Sequence, residues 1–266
     1  MNKTEQRNPN TTHIDKMSTA DMLAAIQREN ENAVKAVGEV IPAITEAVER
    51  AYLRMQKGGR LIYMGCGTSG RLGVIDASEC PPTFGVSHDL VVGIIAGGDG
   101  ALRRAVENAE DSKEAGVRDV SALNINENDT VVGISAAGGA AYVLGALEYA
   151  KEHGALTIGI TSNPGSPIDK LADVGISPDT GAEAITGSTR MKAGTAQKLI
   201  LNMLSTSLMV KLGHVYENLM INLRPTNIKL RGRMIRITSD ILGCDEAEAE
   251  RRLEDAEWSI RRAVEK

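Results

Sequence analysis

A chain of 266 residues with 42% hydrophobic and 24% charged content has room for one α/β domain with appendages or two small domains, and reads as an ordinary soluble globular protein. A net charge of −5 and 3% aromatic residues supply neither a basic stripe nor stacking platforms, which argues against nucleic acid as a partner. No apolar run approaches 18 residues, the polar start MNKTEQRNPNTTHID has no signal-peptide core, and Cys66, Cys80 and Cys244 make no C-x-x-C pattern, so a cytoplasmic, reduced protein without metal, cofactor or membrane partner is expected.

In chain order, residues 1–16 read as an extended polar arm. Ser18 offers an N-cap with Asp21 at the third helical position, followed by a short apolar stripe of Met22, Leu23 and Ile26. A second helix begins near Ile41-Pro42, carries Ile44, Val48, Tyr52 and Met55, and closes at Gly58-Gly59. Both helices are expected to pack on the core or on a second subunit.

Leu61 to Met64 reads as a buried strand that empties into Gly65-Cys66-Gly67-Thr68-Ser69-Gly70-Arg71, after which Leu72, Val74 and Ile75 begin a helical pattern. Strand, glycine-rich turn and helix make a phosphate cradle: glycines such as Gly67 and Gly70 admit an anion to the backbone, and the helix N-terminus directs N–H groups at it. Thr68 and Ser69 add hydroxyl donors, and Arg71 adds a cation. Pro81-Pro82 are expected to stop the helix and hold Glu79 stiffly. Gly65-x-Gly67-x-x-Gly70 also satisfies a dinucleotide fingerprint, but the first acid after the second strand, Asp99, comes too late and behind Gly97-Gly98, so a monophosphate ranks above a nicotinamide cofactor.

Strands and helices then alternate: a strand over Leu90 to Ile95, a helix over Ala101 to Ala109, a strand over Thr130 to Ser135, a helix from Ala141 to His153, a strand over Leu156 to Thr161, and a fifth strand over Val174 to Ser177. The fold class is therefore α/β, an open five-stranded parallel sheet flanked by helices, with ligands at the carboxyl ends of the strands. The turns after Met64 and Ser135 both fall on that rim. Gly187 to Thr195 leads into a long core helix whose start carries Ser188, Thr189, Arg190 and Lys192. That start reads as a second anion-friendly terminus, or equally as a plain cap with solvated charges. A charged helical tail follows Arg233. The domain reading is an N-terminal arm with helices over 1–57, an α/β phosphate-binding domain over 58–225 and a helical appendage over 226–266.

Among the acids, Glu79 stands out, and Glu107, Glu110 and Asp111 would share one face of the expected helix. A solvated acidic face competes as the explanation for most of them. Glu79, fixed between the cradle and two prolines, is expected to be partly buried, with its pKa raised as a general acid requires. Cys66 and Cys80 read as packing residues, and the four histidines as surface.

With these residues assembled, GCGTSGRLGVIDASECPPTFGV, IIAGGDGALRRAVENAEDS and GSTRMKAGTAQKLILNMLST resemble the N-acetylmuramic acid 6-phosphate etherase family of the sugar isomerase (SIS) domain superfamily, over nearly the whole chain. The resemblance implies elimination of D-lactate from the opened sugar followed by hydration, giving N-acetylglucosamine 6-phosphate. It places a proton donor at Glu79 and a C2 base at Glu110, with phosphate held by Thr68, Ser69 and Ser135. The family's Ala-Ser-Gly-Arg-Thr-Pro loop is replaced here by Ala136-Ala137-Gly138-Gly139-Ala140-Ala141. A non-catalytic sugar-phosphate sensor, a sugar-phosphate isomerase and a nicotinamide dehydrogenase are the competing readings. A homodimer is expected from the apolar surface of the N-terminal helices and the long helix.

Overall fold

The five apolar runs become β1 (Leu61–Gly65), β2 (Val91–Ile95), β3 (Thr130–Ile134), β4 (Leu156–Ile160) and β5 (Val174–Ile176) in a computed structural model that describes residues 2–225 and 227–265. All pair in parallel, in the order β2-β1-β3-β4-β5. Every residue of β1, β3 and β4 is buried. A parallel sheet covered on both faces demands such continuous hydrophobic runs.

Side-chain alternation divides the core in two. Leu61 and Tyr63 face a layer built from α1 (Thr19–Glu39), α2 (Ile41–Met55), α3 (Gly67–Phe84) and α8 (Lys192–Lys211), whose Val37, Ile44, Phe84 and Leu204 are buried there. Ile62 and Met64 face α5 (Lys113–Ser121), α6 (Ala141–Glu152) and α7 (Pro167–Leu171), through Val120, Val143 and Ile168. A hairpin, β6 (Val215–Tyr216) with β7 (Leu219–Met220), leads to α9 (Ile228–Leu242), α10 (Glu246–Asp255) and α11 (Ile260–Val264). These last helices share a third core around Met234, Leu253 and Ile260.

At the sheet end opposite the rim, Asp129 accepts from the Arg60 backbone N–H, Nε and Nη2 and from the Asn126 backbone N–H. Burial alone would raise the Asp129 pKa, but the guanidinium and these N–H groups outweigh it and hold the carboxyl below its usual range.

Three sequence expectations are corrected. Pro81 and Pro82 lie inside α3, which continues to Phe84 and ends where Gly85 takes φ +67° and its N–H reaches the Pro81 carbonyl. Each proline removes a single donor near the helix end, and the buried Cys80 and Phe84 hold the last turn in place. The helix expected over 101–109 is only α4 (Gly100–Arg103); residues 104–112 are irregular, with Asn108 at φ +59°, so Glu107, Glu110 and Asp111 share no helix face. Nor is the arm extended. It winds through short 3-10 turns with Thr4, Asn8 and Thr11 buried, and its side chains bond the rim through Asn2 to the Ala137 carbonyl, Asn8 to Ala182 and Thr11 to Ala184.

Candidate active site

The cradle forms because strand and helix meet without a side chain between them. A Cβ placed on Gly70 would lie 2.6 Å from the Gly65 carbonyl oxygen, and one on Gly65 would lie 2.7 Å from the Gly70 nitrogen. Cys66 caps α3 in an extended conformation, which aims the first free N–H groups of the helix at the rim. Gly67 is exposed there and Thr68 half-buried. Arg71 is anchored by its Nε, which donates to the Leu102 carbonyl at 3.1 Å.

Against this turn lies a cavity of about 150 Å³ lined by Cys66, Gly67, Arg71, Val106, Glu107 and Glu110, among others. Glu110 therefore reaches the cradle from the irregular segment after α4, pinned where the Tyr142 N–H donates to the Glu110 carbonyl at 3.0 Å. Burial, with the Glu110 and Asp111 carboxylates adding to it, pushes the Cys66 thiol up to about 12. Cys66 stays protonated at neutral pH and is no nucleophile here.

Glu79 sits elsewhere. It is exposed, not partly buried, and lines a separate cavity of about 260 Å³ with Asp76, Asn202 and Thr206 between α3 and α8. At about 1.5 Å per residue, the helix places Glu79 about 18 Å from Gly67. Beneath it Asp76, buried, accepts from the Tyr63 hydroxyl at 2.9 Å, Asn202 Nδ2 at 2.6 Å and the Ser205 hydroxyl at 3.2 Å, fixing α3 against α8.

Ser135 is buried at the end of β3, its hydroxyl accepting from the Gly138 N–H at 3.1 Å. Ser188, Thr189 and Arg190 occupy the turn before α8, half-buried in the first two cases and exposed in the third. The starts of α3 and α8 adjoin: a Cβ on Gly194 would stand 3.5 Å from Thr68 Cγ2. Ser69 is buried beneath the cradle and donates to Gln197 Oε1 on α8 at 2.9 Å.

Lys192 differs from its expectation. Its ammonium is buried and paired with Glu29 of α1, because α1 crosses this end of α8. The α8 terminus is already filled: the Glu183 carboxylate accepts the Lys192 and Ala193 backbone N–H groups, each at 3.0 Å. Glu183 is fully buried, and burial raises its pKa despite those bonds and the Lys192 charge. Sequence reasoning missed it; a lone acid amid Gly181-Ala182 and Ala184, nine residues before a helix start, was the available signal. A larger cavity of about 510 Å³ lies beside this buried pair, lined in part by Lys3, Asn8, Asn32 and Thr180, and does not include the cradle.

Comparison with known proteins adds the lineage. The chain is 55% identical, over 98% of its length and 85% of the relative's, to an N-acetylmuramic acid 6-phosphate etherase of Caldanaerobacter subterraneus. It is 54% identical, over 98% of its length and 88% of the relative's, to one of Yersinia pestis. A SIS domain profile matches residues 102–207, and the profile of the glucokinase regulatory protein N-terminal SIS domain matches 43–151. A phosphoheptose isomerase structure from Francisella tularensis superposes with a TM-score of 0.56 at 19% identity, covering 73% of this chain and all of that one, and so shares the fold.

Proposed function

The chain belongs to the N-acetylmuramic acid 6-phosphate etherase family, and from that premise we infer that it cleaves the D-lactyl ether of N-acetylmuramic acid 6-phosphate with water, yielding N-acetylglucosamine 6-phosphate and D-lactate. The observation that carries the reading is kinship over nearly the whole chain together with a carboxylate, Glu110, set against a helix-terminal anion cradle.

In this reading the substrate phosphate sits on the first N–H groups of α3, with Gly67, Thr68, Ser69, Gly70 and Arg71 around it and Ser135 and the Ser188–Arg190 turn completing the rim. Lys192, buried against Glu29, keeps a structural role. The opened sugar's aldehyde acidifies the C2 proton, which Glu110 removes. The electron pair forms the C2–C3 double bond as the C3–O bond breaks, and Glu79 protonates the departing lactate oxygen. Glu79 then takes a proton from water adding at C3, and C2 is reprotonated by Glu110.

The two acids line different cavities of one chain. We therefore read the working unit as a homodimer in which a second copy brings Glu79 to the cradle. Exposed Leu23, Val34, Leu53, Ile75 and Val210 supply apolar surface for such an interface. A cytoplasmic location fits the three free thiols.

D-lactate release from N-acetylmuramic acid 6-phosphate tests the activity; a ketose phosphate or no product would move the assignment to isomerase or sensor. Co-expression of Glu79→Ala with Glu110→Ala tests the shared site. Random pairing should restore about a quarter of wild-type activity, since half the dimers are hybrids with one intact site. No recovery in verified hybrids would remove the shared site and leave the etherase standing.

A further inference from the structure

Gln197 is 1% exposed, in the second turn of α8, and its side chain's only hydrogen bond among the described residues is the one from the Ser69 hydroxyl. Its Nε2, with two donors, has no partner among the described residues. Buried amide donors left without an acceptor are uncommon, and amide orientation follows from the surrounding network. The same 2.9 Å contact admits a second arrangement. A half-turn of the amide makes Nε2 the donor and Ser69 Oγ the acceptor, so that one N–H and the carbonyl are left without a partner in place of two N–H groups, and a lone carbonyl is the better tolerated of the two.

The difference decides what Ser69 does. A serine hydroxyl has one proton. Spent on Gln197 Oε1, it cannot serve an anion; with the amide donating instead, the proton is free to point to the cradle, and the relay of donors polarises it. Ser69 is 7% exposed and lies in the first turn of α3, so its proton has a narrow choice between α8 and an oxyanion at the rim. We propose that Gln197 is a positioning residue that donates to Ser69 and thereby makes the serine hydroxyl a phosphate donor. The inference rests on the sugar-phosphate reading of the cradle. It assigns to α8 a part in anion binding through its second turn, although Glu183 fills its terminus.

The test compares Gln197→Glu, Gln197→Met, Ser69→Ala and the double variant Ser69→Ala/Gln197→Met, each first shown by circular dichroism and thermal melting to be folded. A glutamate at 197 can only accept, so it locks the serine proton away from the cradle and adds a like charge. It should raise KM for N-acetylmuramic acid 6-phosphate by about tenfold or more with kcat within about threefold, the signature of lost ground-state binding. Gln197→Met should raise KM less, and the double variant should match Ser69→Ala alone, because both changes remove one interaction. Multiplicative effects in the double variant, or a fall in kcat at unchanged KM, would overturn the proposal. So would Gln197→Met behaving as wild type while Ser69→Ala does not. A second readout separates it from the etherase reading: the rise in melting midpoint that inorganic phosphate gives the wild type should shrink in all three single variants even if no lactate is released. An unchanged rise would overturn it whatever the reaction.

Discussion

Two helix termini meet at the rim of this sheet, and chemistry has treated them in opposite ways. Both α3 and α8 follow glycine-containing turns, and both begin beside hydroxyl and basic side chains. At α3 the N–H groups face a cavity shared with Glu110; at α8 they are taken by the carboxylate of Glu183 from the same chain. A helix N-terminus attracts negative charge without regard to its source. What leaves the α3 terminus open to the proposed ligand is that Glu110 only lines the cavity beside it, whereas Glu183 bonds the N–H groups of α8 directly.

The largest expected effect lies at the open terminus. Glu110→Ala should lower kcat for lactate release by about 10²- to 10⁴-fold with the melting midpoint unchanged, the outcome expected of the proposed general base; a twofold change would remove Glu110 from the chemistry. The filled terminus should respond in the opposite sense. Glu183→Ala strips two buried N–H groups of their acceptor and leaves Lys192 in an altered field, so urea denaturation should show a loss of about 3 kcal/mol. The folded fraction should retain most of its turnover. Next is Thr68→Val at the open end, which should raise KM about tenfold through one lost hydrogen bond to a charged group, with little change in kcat; an equal change from Thr195→Val, an exposed residue of α8, would erase the contrast.

The smallest effect is in the pH dependence of stability, and its sign differs between sites. Asp129 is held below its usual range, so its contribution is present above the unfolded carboxylate value and is lost as pH falls through the folded one. Glu183 is raised, so the folded chain holds that proton more tightly than the unfolded one, and stability declines as pH rises from the unfolded value through the folded one. Denaturant midpoints across the acid range should lose the first slope in Asp129→Asn and the second in Glu183→Gln. Equal slopes in both variants and the wild type would mean that neither group is coupled to folding.

Much of this could be read in the chain before its structure. The parallel sheet followed from apolar runs separated by helical stretches, because strands buried on both faces tolerate nothing else. The cradle followed from Gly65 and Gly70, since a strand and helix that nearly touch exclude side chains, and from Gly67, which takes a positive φ in the turn between them. The rest depended on contacts that no local pattern encodes. Arg103 to Asp111 has helix-forming composition, yet the chain turns through a positive φ at Asn108 and delivers Glu110 to the rim. Pro81 and Pro82 looked like a stop signal, but two prolines near a helix end cost little when Cys80 and Phe84 are buried around them. Lys192 read as an anion-binding cation or a solvated charge because its partner, Glu29, is 163 positions away.

The arm at residues 2–11 carries a consequence for the order of assembly. Three of its side-chain bonds reach backbone carbonyls 135 to 174 positions further along, at Ala137, Ala182 and Ala184. Contacts of such separation form late, because loop closure must precede them. This arm, made before the sheet, is therefore expected to dock after it, once the loops after β3 and β5 have been made and placed. Until then Ala182 and Ala184 hold carbonyls that lack their arm donors, so the stretch bearing Glu183 gains its final rigidity only when the two ends of the process meet.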